Sequence, residues 1–243
     1  MRPGGLQRGP VLPYRPLAGV VPCPSGWLVA GAKLQGITVS PEEPQVLPTL
    51  ADVLDYRPSF EILALHAPIG LLDEERPGGR SCDRQVRRLL GPRRGAAIMS
   101  APSRRLVVKG TVTGTRELEG LSAVAKVLLP RYREVVKEIQ PYRQRSVFEV
   151  HPEATFHQLN GDKPLQYSKN TIHGRTERRA LLGGAFSGIE RVLDARIRGI
   201  RQRHLIDAAA CLWTTRRIAS RAIVRLPLDP EWDSEGLRME IVR

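Results

Sequence analysis

Phe148-Glu149-Val150-His151-Pro152-Glu153 is the stretch in which an apolar β-run meets a proline, with two carboxylates and an imidazole at the junction. Proline is favourable at a first helical position, because the N–H it lacks would be unpaired there anyway. Pro152 is therefore expected to open a helix directly after a strand. Such strand-to-helix junctions are where α/β proteins place chemistry. Carboxylates beside a helix N-terminus suit a metal or a proton transfer, and Glu149 and His151, two apart on a strand, are expected on one side. The same residues also read as a Glu pair capping a helix beside one satisfied histidine.

Working outward, apolar runs and turn residues alternate in the first part of the chain. Leu17 to Val21, the turn Pro22-Cys23-Pro24-Ser25-Gly26 and the run from Trp27 to Ala30 read as a β-hairpin. Gln35 to Ser40 reads as a third strand, Thr49 as the cap of a short helix to about Asp55, and Glu61 to Leu65 as a buried strand ending at His66. Strands, a helix and another strand indicate a mixed α/β sheet. The second half reads as mainly helical. Ser81 is expected to cap Cys82 to Leu90, with Gly91 as the stop, and Leu121 to Ile139 is helical with a kink or end at Pro130. Further helices are expected at 175 to 182, 187 to 198 and 204 to 220. Residues 1 to 16, rich in Pro, Gly and Arg, read as a flexible arm ahead of one domain over 17 to 243.

Composition narrows the function classes. The 243 residues are 41% hydrophobic, enough for a core, and contain no run of 18 uncharged apolar residues and no apolar leader, so a cytoplasmic location and no membrane are expected. Cys23, Cys82 and Cys211 are widely spaced without a C-x-x-C pair and are expected to be reduced and structural. The formal net charge is +13, which favours polyanions and, above all, nucleic acid. The arginines cluster twice, at Arg80, Arg84, Arg87, Arg88, Arg93 and Arg94, and at Arg191, Arg196, Arg198, Arg201 and Arg203. Each cluster reads either as a phosphate-binding face or as a solvated helix face.

Several segments, in order, resemble the domain-of-unknown-function 429 family. They are Gly19 to Trp27, Ala67-Pro68-Ile69-Gly70-Leu71, Gly79-Arg80-Ser81-Cys82-Asp83-Arg84, Glu149-Val150-His151-Pro152-Glu153, Leu159-Asn160-Gly161, Ser168-Lys169, Asp207-Ala208-Ala209 and Gly236 to Ile241. The resemblance implies a predicted nuclease of α/β, ribonuclease-H-like fold: a mixed central sheet flanked by helices, with acidic residues meeting at its centre to hold divalent metal. Two aspartates that the family pattern carries are replaced here by Val21 and His66. Valine offers no ligand, so an ordinary two-magnesium site is not expected. Glu149, Glu153 and Asp207 remain as candidate catalytic carboxylates, and Glu149, Asp207, His66 and His151 as candidate ligands, with His204 able to join them. That set suits manganese, zinc or iron better than magnesium, or holds no metal. Arg80 and Arg84 at a helix start and Lys169 in a loop are candidate phosphate ligands, and Lys169 also reads as a general acid or a solvent-exposed loop lysine. Cys82 reads as core, with no base beside it. Two functions are weighed: a nuclease-family protein acting on or binding nucleic acid through a degenerate or altered site, and an inactive interaction or structural subunit that binds an acidic protein partner.

Overall fold

A two-residue turn, Pro24-Ser25, folds the first two strands onto each other, so Pro22, Cys23 and Gly26 of the expected turn belong to the strands. The computed structural model describes residues 13–109 and 123–243, so residues 1–12 of the expected arm, and Leu121 of the expected helix, lie outside the described residues. Strand β1 (Arg15–Cys23) pairs antiparallel with β2 (Gly26–Gln35), in register from Arg15 opposite Leu34 to Cys23 opposite Gly26. Gly26 is required: its φ is +146°, and a Cβ there would lie 2.1 Å from the Leu47 carbonyl oxygen. β1 starts two residues inside the segment read as the arm. Arg15 ion-pairs with Glu61, and the Glu61 N–H donates to the Pro16 carbonyl, so long-range pairing overrides the local proline signal.

β3 (Thr38–Pro41) returns along β2 after a turn at Gly36, and Gln35 belongs to β2 rather than to the third strand. β4 (Gln45–Leu47) pairs with the other end of β2. Thr49 then caps α1 (Leu50–Leu54) through a capping box with Asp52. β5 (Ile62–Leu65) runs parallel to β1, and β6 (Val147–Glu149) runs parallel to β5. The order is β3-β2-β1-β5-β6, with β4 also on β2: a mixed sheet, antiparallel on one side and parallel on the other.

Alternation divides the sheet into two faces. Leu17, Val21, Ala64, Phe148 and Val150 pack in one cluster with α8 (Gln202–Ala219), which lies so close that a Cβ on Gly19 would be 2.2 Å from the Leu212 nitrogen. Ala18, Val20, Leu63, Leu65 and Val147 pack in the other, with Leu129, Tyr132 and Val135 of α4 (Ala123–Glu138). α4 runs on through Pro130 instead of stopping there. Pro130 is on the exposed side of the helix, and the buried stripe around it supplies the stabilisation the proline removes.

Other local readings needed correction. α2 (Ser81–Gly95) is capped by Arg80, not Ser81; at Gly91, the expected stop, its helical backbone does break (φ +71°), and a further turn follows to Gly95. α3 (Arg104–Lys109) follows it. α5 (Pro152–Leu159) opens at Pro152 as expected, with α6 (Ile172–Ala185) after it. The helix expected over 187 to 198 is only the single turn α7 (Glu190–Leu193). The chain closes with an unanticipated antiparallel pair, β7 (Arg225–Trp232) and β8 (Arg238–Val242), the latter bridging to Val150 beside β6. All three cysteines are buried and unbonded, and no helix among the described residues is long and apolar enough to cross a membrane.

Candidate functional site

The parallel strands β5 and β6 end side by side, each followed by a histidine. His66 follows Leu65 and so turns to the α8 face, while His151 leaves β6 as the N-cap of α5. His151 Nδ1 accepts from the Glu153 N–H at 3.2 Å, so the neutral ring carries its proton on Nε2. The rings meet edge to face, with centroids 4.9 Å apart. Burial holds both below the ordinary histidine value: His66 falls to about 4, with Asp207 opposing and Lys169 adding to the shift, and His151 falls well below, helped by His66, Lys169 and Arg80. Both imidazoles are neutral at physiological pH.

Beside them, from the loop ahead of α6, Lys169 Nζ stands 3.4 Å from Asp207 Oδ2 on α8. Asp207, with Glu153 further off, raises the lysine above its ordinary value against the opposing effect of burial. The ammonium is thus charged, and it occupies the space in front of the aspartate where a cation would bind.

Glu149 lies on the other face. It is in register with Leu65, which belongs to the α4 side, and between Phe148 and Val150, which face α8. Its oxygens accept from Arg80 Nη1 at 2.8 Å, from Arg80 Nη2 at 2.5 Å and from the Ile69 N–H at 2.6 Å. Arg80 also holds Asp83 Oδ1 at 2.8 Å and the Gly70 carbonyl at 3.0 Å, and it is only 2% exposed. One guanidinium here serves two buried carboxylates. Burial lifts Glu149 to about 7 against the pull of Arg80, while Asp83 is held low by Arg80 despite its own burial.

Glu153, the third candidate carboxylate, is 3% exposed and clamped from α6 by Arg178, whose Nη2 reaches both glutamate oxygens at 2.9 and 2.8 Å. Arg178 and Asp83 were not among the sequence candidates. Gly174, Arg178 and Leu182 form the buried stripe of α6, and a lone arginine on such a stripe signals a buried ion pair.

The candidates therefore converge only in part: His66, His151, Lys169 and Asp207 gather, while Glu149 lies on the other face and Glu153 in its own ion pair. Val21, His66 and Asp207 share the α8 side and Glu149 faces α4, so the sheet itself separates the expected ligands. Each remaining carboxylate faces a cation of the chain: Arg80 for Glu149, Arg178 for Glu153 and Lys169 for Asp207. Among the described residues no group of three His, Cys, Asp or Glu side chains is placed to hold a metal ion. The donor set present does not fit a divalent cation, because its carboxylate charge is already neutralised and an ammonium stands at the remaining acid.

The arginine clusters separate in the same way. In the first, Arg80 is buried, Arg84 donates to the Gly79 carbonyl, Arg87 to the Ile98 and Gly78 carbonyls, and Arg94 to the Leu165 and Gln166 carbonyls. Arg80 and Arg84, two of the candidate phosphate ligands, are thus engaged inside the protein. In the second, Arg191 pairs with Glu43, whereas Arg196, Arg198, Arg201 and Arg203 are exposed and none of the four has a carboxylate partner among the described residues. Arg201 and Arg203 reach the neighbourhood of the histidine site, where both act on His204. His204, in the first turn of α8, is held below its ordinary value by burial and by Arg203, with Asp207 opposing and Arg201 and Lys169 adding.

The family model described as "Protein of unknown function (DUF429)" matches residues 19–232. No curated protein and no solved structure matches the chain.

Proposed function

The chain belongs to the DUF429 family, and from that premise we propose that it is a nucleic-acid-binding protein of ribonuclease-H-like fold, whose centre is stabilised by its own cations and does not perform two-metal phosphodiester hydrolysis. The sheet order, antiparallel through β3, β2 and β1 and then parallel through β5 and β6, supports the fold reading. The observation that carries the function is that Arg196, Arg198, Arg201 and Arg203 are exposed and without carboxylate partners among the described residues, with Arg201 and Arg203 acting on His204 beside Asp207 and Lys169. Guanidinium groups left without an internal carboxylate match phosphate oxygens. The strand ends behind them are where open α/β sheets bind ligands.

Fluorescence anisotropy with a labelled single strand and a labelled duplex tests this. Affinity should fall steeply as salt rises, because each phosphate contact releases a condensed counterion. Absence of binding at about 50 mM salt would remove nucleic acid as the ligand. An acidic protein that resists competition by either strand would replace it. On the metal side, calorimetric titration with magnesium or manganese should give no saturable heat at the central site, and strong binding abolished by Asp207→Asn would defeat the charge-compensation argument.

A further inference from the structure

We propose that His66, His151 and Lys169 form a metal-free receptor for one backbone phosphate of the bound strand, an assignment that rests on the nucleic-acid reading above. The argument starts from donors that are not engaged. The His66 ring makes no hydrogen bond among the described residues; its contacts are the edge of His151 and the charges of Asp207 and Lys169. His151 uses Nδ1 to cap α5, which leaves Nε2–H without a partner. Lys169 has three N–H donors and one acceptor, at 3.4 Å. That distance is long for a charge-assisted bond, which normally lies near 2.7 to 2.9 Å.

The contrast with the neighbouring cations is direct. Arg80 and Arg178 are fully buried and hold their glutamates at 2.5 to 2.9 Å. Lys169 keeps 30% of its side chain exposed, and both histidines are also partly open to solvent. The group therefore combines unfilled N–H donors with access from outside. A divalent cation is repelled by the ammonium, and a neutral ligand leaves its charge unused. A phosphate oxygen, acceptor-only and anionic, matches all three donors. The N-terminus of α5, an eight-residue helix starting directly after His151, adds its positive end to the same place.

The test uses the full chain. Ring signals of His66 and His151 are followed by histidine-selective NMR during titration with inorganic phosphate and, separately, with an eight-nucleotide single strand. Both ligands should shift both rings with saturation. Lys169→Met should weaken phosphate at least tenfold, whereas Asp207→Asn, which removes the competing anion, should tighten it severalfold. Opposite signs from two substitutions in one ion pair cannot arise from loss of fold. Rings that stay still while the oligonucleotide binds with a steep salt dependence would overturn the receptor and leave the nucleic-acid reading standing. Rings that shift with phosphate while no oligonucleotide binds would keep an anion receptor and overturn the reading on which it rests. Weakening by both substitutions at unchanged melting temperature would also overturn the receptor.

Discussion

The cluster from Arg80 to Arg94 is mostly turned inward, with Arg88 and Arg93 left exposed, whereas the arginines from Arg196 to Arg203 stay at the surface throughout. Arg80, Arg84, Arg87 and Arg94 of the first cluster donate to buried carboxylates and loop carbonyls, and so tie α2 to the sheet end and to the loop before α6. In the second, Arg191 meets Glu43, and the other four arginines find no acid among the described residues and remain at the surface. The difference teaches that charge count does not locate a polyanion site. What matters is whether folding brings an acceptor to each guanidinium.

The largest expected effect comes from attacking the first cluster at its centre. Arg80→Met leaves Glu149 and Asp83 buried without their counterion, and removing one partner of a buried pair typically costs about 3–5 kcal/mol. Urea unfolding should show that loss, while the folded fraction keeps its affinity for a single strand. An unchanged midpoint would mean that Arg80 is not the organising charge.

The reverse pattern is expected for the second cluster. Replacing Arg196, Arg198, Arg201 and Arg203 together by Gln should change stability by less than about 0.5 kcal/mol, as exposed substitutions do. Single-strand affinity should fall by roughly a hundredfold, and the slope of log affinity against log salt by about 3, at ~0.7 per lost phosphate contact. If the slope survives, the contacts lie elsewhere on the surface.

Acid should separate the buried centre from the exposed rim. His66 has a folded value depressed from about 6.5 to about 4, so its contribution is fully present above pH 6.5 and is lost as pH falls. His151 acts in the same direction. Glu149, raised to about 7, has the opposite sign: its contribution is present below pH 4.5 and is lost as pH rises through 7. For His66 alone the loss on going to pH 4.5 is about 2–3 kcal/mol. Wild-type stability should therefore drop between pH 6.5 and 4.5, more steeply in Glu149→Gln and less steeply in His66→Asn. The quadruple rim variant should follow the wild-type curve.

The smallest effect belongs to the outer part of the first cluster. Arg87→Ala removes bonds to the Ile98 and Gly78 carbonyls and to Ser100, and should cost about 1–2 kcal/mol without altering nucleic-acid affinity. A selective loss of affinity at full stability would move Arg87 into the binding face.

What could be read from the sequence alone was local. The turn from Pro22 to Gly26 marked the β1–β2 hairpin, Thr49 the cap of α1, Pro152 the start of α5, and the apolar stripe around Leu205 and Leu212 the last helix. Each signal acts over a few residues, so it survives in any context. The readings that failed depend on distant neighbours: α4 continues through Pro130 because its buried face is held by the sheet, and β8 exists because it pairs with β7 and bridges to Val150. The candidate site divides along the same line. Glu149, Glu153, Asp207, His66, His151 and Lys169 were legible as candidates from their residue types at strand ends, on helices and in one loop. Which cation meets which carboxylate was not, because the partners are 69, 25 and 38 residues apart. Nor does the chain order tell that the sheet puts Glu149 on one face and Asp207 on the other. Charge compensation is decided by through-space distance and burial, and those exist only once the chain has folded.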